Sequence, residues 1–231
     1  MIICLAGGFS SSSDTLKTRL EKSLNAKSMT FKAGSGIGHL NINIRIKKNL
    51  LIKFYKLINK NIIIDQHLFP TKYCIEILDS LFGIDKIKFI VTYRNIYDTI
   101  NNILKRKHST NSFHMFRSNF YPTYQNFLSE KYGINIFDVL CAINFYAMWF
   151  KIEQEKFIKN IEFISFEDNT RNVELVNKKL SNFLGIDLKL DPNIKTNLFK
   201  KHDHNISNEL REFVKEYAAS FYDIDFSRIG L

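Results

Sequence analysis

Cysteine is scarce in this chain, with only Cys4, Cys74 and Cys141 among 231 residues. Their odd number and wide separation exclude a disulfide framework and provide no zinc-ligand spacing. The pattern is a reduced one, expected of a cytoplasmic protein. No apolar run is long enough to span a membrane, and no charged region precedes the short apolar stretch 1–6. Neither a transmembrane helix nor a secretory leader is therefore predicted, while contact with a membrane surface stays open. Low-complexity linkers and internal repeats are also missing, which predicts a single domain over 1–231. Acidic residues run short, at 23 Asp and Glu against 33 Lys and Arg, a net charge of +10. Such a surplus favours anionic partners: a nucleotide, an acidic or sulfated glycan, nucleic acid or an anionic lipid surface. The basic residues are scattered, however, and scattered lysines equally describe a solvated surface. The one basic run, Lys105-Arg106-Lys107-His108, is short and carries no recognition motif around it, which argues against nucleic acid.

What the chain does have is a hydrophobic content of 45% with 14% aromatic residues, enough for a folded globular core. Its periodicity alternates. Apolar runs predict strands at 2–6, 28–32, 61–65, 86–93 and 161–166. Amphipathic spacing predicts helices at 15–24, 46–59, 71–82, 97–107, 137–159, 173–184 and 207–221, with Gly83 stopping the third. Strands separated by helices predict an α/β fold, a mainly parallel P-loop-like sheet covered on both faces. The aromatic, unpatterned stretch 109–132 reads as a lid or insertion.

Parallel sheets bind ligands at the carboxyl ends of their strands, so the residues just after each strand carry the functional reading. After the first come Gly7, Gly8, Phe9 and four serines, Ser10 to Ser13, leading into a helix from Asp14. A strand, a turn of small residues and a helix N-terminus present backbone N–H groups and a helix dipole to a phosphate or sulfate. The loop lacks the Gly-Lys-Ser/Thr of a Walker A motif. The second glycine-rich run, Gly34 to His39, misses the dinucleotide fingerprint at His39, and a tight turn explains it equally well. Asp14 reads as an ordinary N-cap. Arg94, directly after the strand ending at Tyr93, can grip a phosphate with two N–H groups or pair with Asp98. His67, just past the strand ending at Asp65, can take a proton from a hydroxyl or bond the backbone. His202-Asp203-His204 lacks a third separated ligand and reads as a polar loop, so no metal is expected.

Taken in order, these segments resemble the sulfotransferases that use 3′-phosphoadenosine-5′-phosphosulfate (PAPS), especially their bacterial members. Gly8-Phe9-Ser10-Ser11-Ser12-Ser13-Asp14-Thr15-Leu16 stands where that family carries its 5′-phosphosulfate loop, close to Gly-x-Pro-(Arg/Lys)-Ser-Gly-Thr-Thr. Val91-Thr92-Tyr93-Arg94-Asn95-Ile96-Tyr97-Asp98 stands at the family's 3′-phosphate element, with Asn102 in place of its serine. Met148-Trp149-Phe150, Phe166-Glu167-Asp168 and Phe183-Leu184-Gly185 echo the third element, and Gln66-His67-Leu68-Phe69-Pro70 echoes the Thr-His-Leu-Pro segment of cytosolic members.

The resemblance implies a transferase that moves a sulfuryl group from PAPS to a hydroxyl or amine of a small-molecule or carbohydrate acceptor, releasing 3′-phosphoadenosine 5′-phosphate (PAP). It implies a cofactor site from Gly8, Ser10, Ser11, Ser12, Ser13, Asp14, Thr15, Arg94 and Asn102, and His67 as general base. Glu167 and Asp168 are expected to be structural, at a lid anchor or helix start. Gly34 to His39 and the segment from Phe113 to Phe127 are expected to shape the acceptor pocket. Two departures stand out: Ser11 replaces the loop's basic residue, and Asp14 brings a carboxylate to the helix start. Lys17, or Arg117 in the lid segment, is expected to supply the missing charge. A non-catalytic binder of nucleotide or acidic glycan on the same fold, and a P-loop-like small-molecule kinase with Asp65 holding magnesium, remain alternatives.

Overall fold

The computed structural model describes residues 1–7, 12–30, 61–66, 72–105, 136–194 and 206–231. Five strands form one sheet: β1 (Ile2–Gly7), β2 (Lys27–Thr30), β3 (Ile62–Gln66), β4 (Ile87–Tyr93) and β5 (Ile161–Ser165). Their spatial order is β2-β3-β1-β4-β5, and every pairing is parallel. The helices are α1 (Ser13–Leu24), α2 (Lys72–Phe82), α3 (Ile96–Lys105), α4 (Ile136–Gln154), α5 (Phe166–Arg171), α6 (Val173–Leu184) and α7 (Asn208–Ala219). This is the α/β architecture that the alternating periodicity predicts.

The apolar runs explain why the sheet is covered on both sides. In β1, Ile3 and Leu5 pack with Leu16 and Leu20 of α1 and with Val176 and Leu180 of α6. The intervening Ile2, Cys4 and Ala6 face a larger core built from α2, α3, α4 and α7, where Phe89 of β4 meets Trp149 with ring centroids 5.8 Å apart. A strand alternates its side chains between faces, so a run apolar at every position must be covered twice. The α4 helix is itself buried nearly all round, at Ala142, Ile143, Phe145, Tyr146, Ala147, Trp149 and Phe150, because it lies between other elements.

Several boundaries shift from the periodic pattern, for local reasons. The long helix predicted to run to 159 ends at Gln154. There Lys156 turns left-handed (φ 52°), Phe157 N–H donates to the Ile152 carbonyl and Lys156 N–H to that of Glu153. This pair of bonds is a Schellman stop with lysine where glycine is usual. Lys156→Gly is expected to raise stability by about 0.5–1 kcal/mol in chemical denaturation, since a Cβ opposes that conformation. A loss of stability would show the turn to be unstrained. Gly83 (φ 78°) does stop α2, donating to the Asp79 carbonyl at 2.7 Å. The last helix spans Asn208–Ala219 because Ser207 is its cap, accepting from Leu210 N–H.

The strand predicted over 161–166 stops at Ser165, whose hydroxyl accepts from Asp168 N–H and opens α5, a helix the periodicity does not reveal. On the edge strand β5, the peptide groups of Phe163 are occupied: its N–H donates to Glu162 Oε1 (3.0 Å) and its carbonyl accepts from Lys179 Nζ (2.7 Å). Lys179 and Glu162 also form an ion pair at 3.0 Å. Among the described residues no helix is long and apolar enough to cross a membrane.

Candidate functional site

From β1 the chain passes through α1 to β2, toward one edge of the sheet; from β4 it passes through α3 and α4 to β5, toward the other. Strands β1 and β4 are neighbours, with Gly7 in register with Thr92. The chain thus departs in opposite directions from two adjacent carboxyl ends, and the crevice between them is where an open α/β sheet binds ligands.

The β1 side is built tightly. A side chain on Gly7 would collide with Ser13 Oγ and Cβ, so glycine is what lets α1 start against the strand. Asp14 is not the N-cap of this helix. Ser12 is, in a left-handed conformation (φ 60°, ψ 26°), and its carbonyl accepts from the N–H groups of Thr15 and Leu16, each at 3.1 Å. Asp14 sits one position into the helix with its side chain 91% exposed, 3.6 Å from Lys17 Nζ. The cap moves two residues upstream because Ser12 has a partner that Asp14 lacks. Asn169 Nδ2 donates to Ser12 Oγ (2.7 Å) and to its carbonyl (3.1 Å). Among the described residues, the N–H groups of Ser13 and Asp14 have no partner, as expected of a helix start.

Asn169 is oriented in turn by Arg19, a residue that the motif reading passes over. Arg19 is 2% exposed. Its Nη1 donates to Asn169 Oδ1 (2.9 Å) and to the Asn169 carbonyl, Nε to the Asp191 carbonyl (3.2 Å) and Nη2 to that of Ile194 (3.0 Å). Burial pulls the guanidinium pKa down and Asp191 pulls it back. Arginine remains charged in any case. The signal for this role is legible in retrospect: Arg19 lies on the apolar stripe of Leu16, Leu20 and Leu24, where a solvated lysine or arginine has no place.

On the β4 side, Arg94 is 4% exposed. Its guanidinium carbon lies 4.0 Å from the Phe166 ring centroid, and Nη2 is 3.6 Å from Asp98 Oδ2. The ion pair with Asp98 is therefore present, but it engages one corner of the fork: Arg94 Nε and Nη1 are buried with no hydrogen-bond partner among the described residues. Buried polar groups are ordinarily satisfied, and an orphaned guanidinium edge at a strand's carboxyl end has the donors to bind an anion. The backbone here is held firmly. Arg94 N–H donates to the Tyr146 hydroxyl (3.3 Å), and burial pushes that hydroxyl well above the usual tyrosine range. Asn95 caps α3, its Oδ1 accepting from Tyr97 N–H at 2.9 Å. Asn102 is 7% exposed, and its amide donates to the Asp98 carbonyl (3.0 Å) of its own helix.

The two sides are joined from below by α5, which begins where β5 ends. Phe166 lies against Arg94, and Asn169, three residues on, holds Ser12. Glu167 and Asp168 occupy the first turn of this helix, the structural position expected for them. Gly8, Ser10, Ser11, His67, Gly34 to His39, Arg117 with the rest of 109–132, and His202 to His204 lie outside the described residues. No group of three metal-ligating side chains occurs among the described residues.

No family model matches the chain, and no curated protein sequence does. Among solved structures it is similar to mouse sulfotransferase SULT7A1 complexed with PAP, at 20% identity over 96% of this chain with a TM-score of 0.43. It is similar also to the sulfotransferase domain of the Synechococcus PCC 7002 olefin synthase, at 13% identity over 98% of this chain and 88% of that one, with a TM-score of 0.47. The chain spans 66% of the length of the mouse protein.

Proposed function

We propose that the protein is a PAPS-dependent sulfotransferase acting on a hydroxyl or amine of a small-molecule or carbohydrate acceptor. The observation that carries this reading is the Arg94 guanidinium, buried at the carboxyl end of β4 with Nε and Nη1 unpartnered, beside the strand end that opens into α1. Its context is the order of motifs in the sequence, and the net charge of +10 suits a polyanionic donor. In this reading Arg94 holds the 3′-phosphate through its two free donors. The uncommitted N–H groups of Ser13 and Asp14 face the 5′ end, aided by the α1 dipole. When bound, the donor supplies an activated sulfuryl group that the acceptor attacks in line, with PAP departing. His67, which follows β3 and so the strand on the other flank of β1, takes the acceptor's proton. Lys17 offers charge for the developing negative oxygen.

The test is a thermal-shift comparison of PAP with AMP and ATP. At about 100 times its Kd, PAP should stabilise the protein by about 2.7 kcal/mol, a rise of about 5–10 °C for a chain of this size. AMP lacks the 3′-phosphate and should give much less. Equal shifts for PAP and AMP would reject the reading. One observation favours a second reading, binding without transfer: Lys17, the residue meant to replace the loop's missing base, is 3.6 Å from Asp14. Selective PAP binding with no sulfuryl transfer to any hydroxyl acceptor would select it.

A further inference from the structure

The Ser12 conformation calls for an explanation. A non-glycine residue at φ 60° is strained, yet no side-chain bond from Ser12 caps the helix it begins. Besides the helical N–H groups of Thr15 and Leu16 on its carbonyl, what holds it comes from outside the helix: the Asn169 amide donates to both its carbonyl and its hydroxyl, and Asn169 is fully buried. Arg19 occupies the Asn169 side-chain oxygen at 2.9 Å. That contact fixes which end of the amide faces Ser12, because an oxygen turned toward the Ser12 carbonyl would meet no donor there. The chain of contacts Arg19, Asn169, Ser12 ends at the helix start where, among the described residues, the Ser13 and Asp14 N–H groups have no partner. The same short helix that carries Asn169 carries Phe166, on which the unsatisfied Arg94 guanidinium rests.

We infer that Asn169 is a positioning residue of the nucleotide site: oriented by Arg19, it keeps Ser12 left-handed and so keeps the first N–H groups of α1 available to the anion at the β1 end of the crevice. The inference rests on the function proposed above and adds to it a residue that touches neither donor nor acceptor.

The test uses the strain itself. PAP affinity is measured by calorimetry for the wild type, Asn169→Ala, Ser12→Gly and the double variant. Asn169→Ala should weaken binding about tenfold, since an unsupported left-handed serine relaxes to other conformations. Ser12→Gly is the reference for the double variant, because glycine adopts this conformation unaided and needs no support from Asn169. The double variant should recover most of the loss, which a general packing defect would not. If Asn169→Ala does not fold, Asn169→Asp replaces it, keeping the acceptor for Arg19 and removing both donors to Ser12. Wild-type affinity in Asn169→Ala, or a double variant as weak as that single one, would overturn the inference and leave the proposed function standing. A wild-type protein indifferent to PAP would overturn the proposed function, and Asn169 would then be a structural clamp only, visible as coupled melting temperatures of the four proteins without ligand.

Discussion

Arg94→Met is expected to lower PAP affinity by about 100-fold or more while leaving the ligand-free melting temperature within a few degrees of wild type. The two halves of this result have one cause. In the free protein the guanidinium is buried with Nε and Nη1 unsatisfied, and its ion pair with Asp98 is long, at 3.6 Å. Methionine keeps the apolar contact with Phe166 and removes a desolvated charge, so losses and gains roughly cancel. With a phosphate bound, the same two donors make charge-assisted bonds, each contributing about 1.5–3 kcal/mol. Calorimetric titration paired with thermal unfolding separates the effects. Arg94→Lys should fall between, keeping the charge without the fork. A variant that binds PAP as well as wild type would remove Arg94 from the site, and one that fails to fold would make its role structural.

The second large effect runs the other way. Arg19→Met is expected to reduce unfolding free energy by about 3 kcal/mol or more in chemical denaturation. The guanidinium satisfies four oxygens: the side chain and carbonyl of Asn169 and the carbonyls of Asp191 and Ile194. Removing it orphans several of them in a region where Arg19 is 2% exposed, at about 1–3 kcal/mol for each left unsatisfied. A change below about 1 kcal/mol would mean that water replaces the side chain freely. Two buried arginines thus have opposite jobs, and the difference lies in their nitrogens: each of the three on Arg19 donates to an oxygen, whereas two of those on Arg94 have no hydrogen-bond partner among the described residues.

The contrast also shows what the sequence makes legible. Strands and long helices are readable because burial imposes a period, and Val173–Leu184 matches its predicted span at both ends. Strand order is not periodic, yet the expected position of Arg94 after an apolar strand follows from the pattern alone. The sequence points to Asp14 as the cap because capping preference is a local rule, whereas the actual cap, Ser12, is bonded by Asn169, 157 residues away along the chain. The helix α5 escaped because six residues carry too little period to register. Its signal was the Ser165-Phe166-Glu167-Asp168 pattern, a serine three residues before an acid, which the structure realises as the Ser165 to Asp168 N–H bond. The charge of Lys17 is legible in the sequence, and its pairing with Asp14 is a matter of helical spacing, three residues apart on one face.

The occupied peptide groups of Phe163 have a consequence for how this protein behaves when concentrated. An outermost strand is normally a template on which a foreign chain can extend the sheet, and the usual safeguard is a lysine placed along it. Here Lys179 and Glu162 go further, filling both the acceptor and the donor at the middle of that border. Fibrous growth across the centre of this flank would first have to break a salt bridge and two hydrogen bonds, so crowding alone meets a guarded rung there.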